Sequence, residues 1–171
     1  AAGFVDVVSR LLSATFGASF AAAVQGAAGP QQYHLRYAPR IGWLNDLSVP
    51  DQLQIYADWG FRAFEYNGLP RHSNEEIAAI RKKMDQLGMS MGVFVVNSGG
   101  WKGDAMVDPK FHAGFLADVK RAVEIHGIVG NECATITSGL SVNHLPLEQQ
   151  TKNCIEAMKR AGEMVEKTNM T

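Results

Sequence analysis

From Tyr33 onward the chain alternates two kinds of segment with two different periods. Short runs rich in β-branched or aromatic residues (Tyr33 to Ile41, Ala63 to Tyr66, Met91 to Val96, Cys133 to Thr137) are separated by longer stretches with apolar residues at helical spacing. This alternation predicts strands of a parallel sheet joined by crossover helices, which are right-handed in nearly all known cases. Helix starts are explicit. Ser48-Val49-Pro50-Asp51 carries a Ser cap, an early Pro and an acid three residues on, and Ser73-Asn74-Glu75-Glu76 has the form of a capping box. Leu53, Tyr56 and Ala57 precede Gly60, placed to end the first helix, and Ile77, Ile80, Met84 and Leu87 form one face before Gly88. Met91 to Val96 is a near-continuous apolar run, as expected of a strand covered on both faces. Asp108-Pro109 opens a third helix with Phe111, Phe115, Val119 and Ala122 along one stripe and Gly127 after it. A fourth runs from about Leu147, with Ile155, Met158, Gly162 and Val165 on a face. His72, His112 and His126 read as surface residues.

Four such units fit either an open doubly wound sheet or half of a (β/α)₈ barrel. The first βα loop has no GxGxxG and no GxxxxGK[ST], so dinucleotide and P-loop chemistry lose their main support. Lys and Arg number 16 against 17 Asp and Glu, a formal charge of −1, which argues against a nucleic-acid partner because phosphate binding relies on clustered cations. Cys133 and Cys154 match neither a CxxC pair nor a metal spacing.

Residues 1–30 differ in composition from the rest. Asp6 and Arg10 are the only charges, and Leu11 to Ala28 is almost wholly small or apolar. A basic residue, an apolar stretch and small residues at its end are the parts of an export leader, with an Ala-rich helix packed on the domain as the other reading. The expected organisation is a leader over 1–30 and an α/β domain over 31–171, exported to the periplasm, with no membrane association in the mature form. A cytoplasmic location is the alternative.

Three segments taken together resemble a known superfamily. Tyr37-Ala38-Pro39, then Asp58 to Gly68 (DWGFRAFEYNG), then Leu87 to Val95 (LGMSMGVFV) are similar to the start of the xylose isomerase-like TIM barrels, and most of all to their hydroxypyruvate isomerase-type branch. The resemblance runs from about residue 33 to 166. It implies a (β/α) TIM-barrel fold of which these are the first four βα units. It also implies a sugar or keto-acid isomerase acting on a small hydroxycarbonyl or sugar substrate. In that family a divalent metal, Mg²⁺ or Mn²⁺, and two proton-transferring glutamates come from the second half of the barrel. The metal polarises the substrate oxygens while a carboxylate removes the adjacent proton. A full barrel takes about 250 residues, so those groups have no counterpart here and no metal is expected on this chain. Thr168 to Thr171 reads as the approach to a fifth strand. A half barrel also exposes sheet edges and an apolar inner face, which makes a homodimer an expected partner arrangement. A non-catalytic half barrel binding a sugar-like ligand or a partner subunit is the second reading.

The chain departs from the family at Arg40, where a His is frequent, at Asn97-Ser98, where a His often follows the third strand, and at Thr137-Ser138-Gly139, where a Pro-Gly turn is usual. Candidate substrate contacts cluster at the strand ends. Glu65 is suited to hold a substrate hydroxyl, or else to bond loop amides or Arg71. Asn67 shapes the following turn. Trp101, in the loop after the third strand, is a candidate wall for the substrate, and Thr137 offers a hydroxyl at the end of the fourth strand. His144 lies in the next loop, where titration near neutral pH is useful. Arg40 is a candidate for a substrate carboxylate. No catalytic residue is assigned.

Overall fold

The computed structural model describes residues 31–97 and 105–171; the leader-like segment and Trp101 lie outside the described residues. Among the described residues of Tyr33–Thr171, four α-helices follow one another: α1 (Val49–Asp58), α2 (Asn74–Leu87), α3 (His112–Val129) and α4 (Leu147–Val165). The two predicted caps form. Ser48 Oγ accepts from the Asp51 N–H at 3.3 Å, and Ser73 and Glu76 exchange both bonds of a capping box. Gly60 (φ 95°) follows α1 and Gly88 (φ 62°) ends α2, both in conformations that favour glycine.

Between the helices the chain returns to one ladder. Strands β1 (Ala63–Phe64) and β2 (Ser90–Met91) pair in parallel, Ala63 opposite Ser90 and Phe64 opposite Met91. Parallel bridges extend this pairing outward, from Arg40 to Glu65 on one side and from Val95 to Thr135 on the other. Thr171 adds a further neighbour, its N–H donating to Glu132 O at 2.7 Å and its carbonyl accepting from the Ala134 N–H at 2.9 Å. The extended segments therefore lie side by side in chain order. A doubly wound sheet reverses its order around the first strand, whereas a barrel does not.

The extended segments are shorter than the sequence suggests. Of Tyr33 to Ile41 only Arg40 bridges a neighbour, because Pro39 has no N–H to give and the Tyr37 N–H turns back to Leu35 O. Tyr33 instead stacks on Phe61, with ring centroids 5.0 Å apart. The expectation that Met91 to Val96 is covered on both faces also fails. The Gly92 N–H donates to Phe64 O, yet the Tyr66 N–H reaches Val93 O, one residue further than a regular parallel ladder permits. This bulge lets Met91, Phe94 and Val96 all be buried, while Val93 and Val95 are half-buried. A Cβ at Gly92 would lie 3.1 Å from Phe64 O, so the close strand approach favours glycine there.

Two helix faces are corrected as well. Phe111 belongs to a 3₁₀ turn (Pro109–Phe111) and is exposed, while His112 takes the inward position, its Nε2 2.9 Å from Met106 O. His112 is thus a buried residue. Gly127 lies inside α3, which ends at Gly130 (φ 69°). On α4 the buried face is Gln150, Asn153, Ala157 and Ala161, and Ile155 and Met158 are exposed. Polar anchors described below set that rotation, and the two alanines let the helix pack closely. Helix contacts join sequence neighbours, α1 to α2, α2 to α3 and α3 to α4. Leu53, Tyr56, Phe64, Ile77, Met84, Phe94, Phe115 and Ile125 fill the layer between helices and sheet, each contributing about 1.5–3 kcal/mol by burial.

Candidate functional site

All βα loops leave the ladder at the same end, and side chains from the helices fix them. On α1, buried Gln52 accepts from the Gly42 N–H (2.9 Å) and donates to Leu47 O (3.0 Å), clamping the first loop. Gln150, at the same fourth position of α4, accepts from the Val142 N–H and donates to Val142 O and Leu145 O (2.7–2.9 Å), clamping the fourth. Arg121 of α3 donates to His72 O at 2.7 Å and also bonds Asn74, holding the second loop. Asn153 of α4 donates to Val107 O at 2.8 Å, holding the third. The sequence reading missed these residues. A Gln one turn inside an otherwise amphipathic helix, twice, was the available sign.

Between the first two loops lies a cleft of about 510 Å³, lined by Arg40, Gly42, Asn45, Gln52, Tyr66, Asn67 and Arg71 among others. That volume falls in the range of small-molecule sites. Arg40 is held through its carbonyl, which accepts from the buried Tyr56 hydroxyl at 2.8 Å. Gly68 sits where a Cβ would meet the Tyr66 ring at 2.6 Å and Arg71 Nη2 at 3.0 Å. Its φ is −80°, so the requirement is one of space rather than of left-handed backbone. The Tyr66 hydroxyl is 2.6 Å from His72 Nε2, and His72 Nδ1 is 3.3 Å from Glu76 Oε2. Burial pushes the Tyr66 phenol up, and the Arg71 charge works against that rise.

The predicted contacts divide into three places. Arg40 and Asn67 line the cleft, and Glu65 is the bridge partner of Arg40, half-buried beside it. Thr137 is tied to Asn97 instead: the Asn97 Nδ2 donates to Thr137 O (2.9 Å) and its Oδ1 accepts from the Thr137 N–H (3.0 Å). His144 stands with its Nε2 2.9 Å from Asp108 Oδ2, which Lys110 Nζ also approaches at 3.0 Å. Burial works to raise the Asp108 carboxyl, but bonds from Lys110 and His144 and the Lys110 charge outweigh it and hold it at about 2. No three His, Cys, Asp or Glu side chains among the described residues come together as a metal-binding group, so the implied metal finds no ligand set there.

Comparison with solved structures decides the architecture. The chain is similar to an AP endonuclease, family 2, from Brucella melitensis, at 16% identity and a TM-score of 0.67, covering 80% of this chain and 53% of that one. It is similar to a 3-keto-D-glucoside 4-epimerase from E. coli at 16% identity and a TM-score of 0.64, covering 80% and 54%. A xylose isomerase domain protein from Planctomyces limnophilus gives 15% identity and a TM-score of 0.50, covering 70% and 46%. These neighbours are xylose isomerase-like TIM-barrel proteins, and the likeness shows a TIM-barrel fold for this chain. The chain spans about half the length of the barrel structures it matches. No family model matches it, and no curated protein does. In TIM barrels the reacting groups gather at the C-terminal ends of the strands, the end where the cleft opens. Epimerases and an endonuclease share this barrel, so the fold alone does not choose the chemistry.

Proposed function

We propose that these four βα units belong to a metal-dependent isomerase or epimerase of the hydroxypyruvate isomerase-like kind, acting on a small hydroxycarbonyl compound or sugar. The observation that carries this reading is the cleft at the C-terminal strand ends of a barrel whose structural neighbours include sugar epimerases. Arg40, Asn67 and Glu65 are the substrate contacts it assigns, with Trp101, Thr137 and His144 as further candidates. Divalent metal and the two proton-transferring glutamates come, in this reading, from barrel units other than the four described. The described residues bind and orient the substrate. The leader-like residues 1–30 go with export to the periplasm.

The test is hydrogen exchange in D₂O. The native protein, purified from its source with Mg²⁺ or Mn²⁺ added, is incubated with hydroxypyruvate and a panel of ketoses and followed by NMR. Metal-dependent exchange of the hydrogen next to a carbonyl is the expected result, and no exchange across the panel would sink the proposal. The second reading, a non-catalytic half barrel that binds a partner subunit, draws on the exposed row Leu147, Ile155 and Met158 of α4. Sedimentation addresses it: a concentration-dependent dimer supports that reading, and a monomer at all concentrations opposes it.

A further inference from the structure

We infer that the first cleft is an anion site, so that the substrate of the proposed isomerase carries a carboxylate or a phosphate. The inference rests on that proposed function for the word substrate, but on the cleft alone for the binding. Arg40 and Arg71 stand in the wall of one cavity of about 510 Å³, and no carboxylate side chain among the described residues lines it. Among the described residues neither guanidinium makes a hydrogen bond or an ion pair. Glu65, the bridge partner of Arg40, forms no salt bridge with it, and Glu76 is engaged by His72 and by the Ser73 N–H. With neither guanidinium held in an ion pair, both are left to bind an anion that enters the cavity.

The backbone that carries each arginine is held in place. Arg40 is a bridge residue whose carbonyl is tied to buried Tyr56, and Arg71 closes a 3₁₀ turn (Leu69–Arg71) in which its N–H donates to Gly68 O at 3.1 Å. Guanidinium groups bind carboxylate and phosphate through paired N–H donors in a planar fork, a geometry that lysine lacks. Asn45 and Asn67 in the same lining supply neutral donors and acceptors for the hydroxyls of a small polyol acid. The size of the cavity and the formal charge of −1 match a small molecule better than a nucleic acid backbone.

Isothermal titration of the intact chain with glycerate and with inorganic phosphate, against glycerol as the neutral control, tests the assignment. At least one anion is expected to bind, more weakly as salt is added, and Arg40→Ala and Arg71→Ala are each expected to lower its affinity tenfold or more. The better ligand of the two tells carboxylate from phosphate. Lysine at either position is expected to recover only part of the loss. Both arginines are exposed at the rim, so thermal melts of the variants should match the parent, and a second pair, Arg40→Gln and Arg71→Gln, serves if an alanine variant misfolds. Binding of neither anion, a loss below tenfold, or arginine-dependent retention of a DNA duplex in place of the small anions would overturn the inference. Hydrogen exchange is absent from this readout, so a failed isomerase assay leaves the anion site standing, and a failed titration leaves the isomerase reading standing.

Discussion

Replacing Asn97 by alanine should separate the ends of the third and fourth strand segments. The Asn97 side chain is buried and joins them by two short bonds, Nδ2 to Thr137 O at 2.9 Å and the Thr137 N–H to Oδ1 at 3.0 Å. Each amide bond is worth about 1 kcal/mol net, and stranding the half-buried Thr137 N–H and carbonyl adds part of a desolvation penalty of about 1–3 kcal/mol per group. A loss of about 2–4 kcal/mol follows, a large share of the 5–15 kcal/mol typical of a whole domain, within about those limits. With a urea slope of about 2 kcal/mol per molar, the midpoint should fall by about 1–2 M. Asn97→Asp sharpens the test. A carboxylate oxygen in place of the amide nitrogen faces Thr137 O with no hydrogen between them, so this variant should be worse than alanine at neutral pH. Protonation restores a donor, which raises the folded-state pKa of the new acid above its unfolded value. The stability it retains is then fully present below the unfolded pKa and lost as pH rises through the folded one. Urea melts of Asn97→Ala within about 0.5 kcal/mol of the parent would refute this account of the strand junction.

Three further outcomes are expected. Gly68→Ala should cost about 1–3 kcal/mol through the clash with Tyr66 and Arg71, read as a lower melting temperature, and an unchanged melt would mean that both side chains move aside freely. The Asp108 carboxyl is held at about 2, below the ordinary 3.8, so its contribution is present above the unfolded value and is lost as pH falls through about 2; Asp108→Asn should remove that acid-limb dependence in a circular-dichroism titration, and an unchanged limb would contradict it. Iodoacetamide at neutral pH should label exposed Cys133 well before Cys154, whose half-buried thiol is pushed up by burial; equal rates in peptide mass spectra would count against that burial.

Local chemistry was legible in the sequence and long-range chemistry was not. The Ser48 and Ser73 caps depend on atoms three residues apart, so their spacing was enough. The face of α4 depends on where Gln150 and Asn153 find backbone partners, and one of these, Val107, is 46 residues away. Counting apolar residues therefore selected Ile155 and Met158, which the structure leaves in the open. The same distinction holds at the mouth. Arg40 and Asn67 could be placed at strand ends from the βα rhythm, but Arg71 joins them only because the turn after Gly68 folds back. His144 and Thr137 were placed at the mouth for their chemistry, and the groups they meet there, Asp108 and Asn97, come from the preceding unit.

The loop clamps also impose an order in time. Arg121 of α3 reaches back to the carbonyl of His72, and Asn153 of α4 reaches back to that of Val107, so each of these loops is completed by the helix of the following unit. Nearest-neighbour coupling of this kind is the energetics of stacked repeats, in which docking propagates along the chain. As the polypeptide emerges during synthesis, the turn that carries Arg71 gains its last support when α3 docks, before α4 has emerged to dock in turn. The second and third loops are finished one unit behind the growing chain, and the first cleft is ready for a ligand while the later loops are still open.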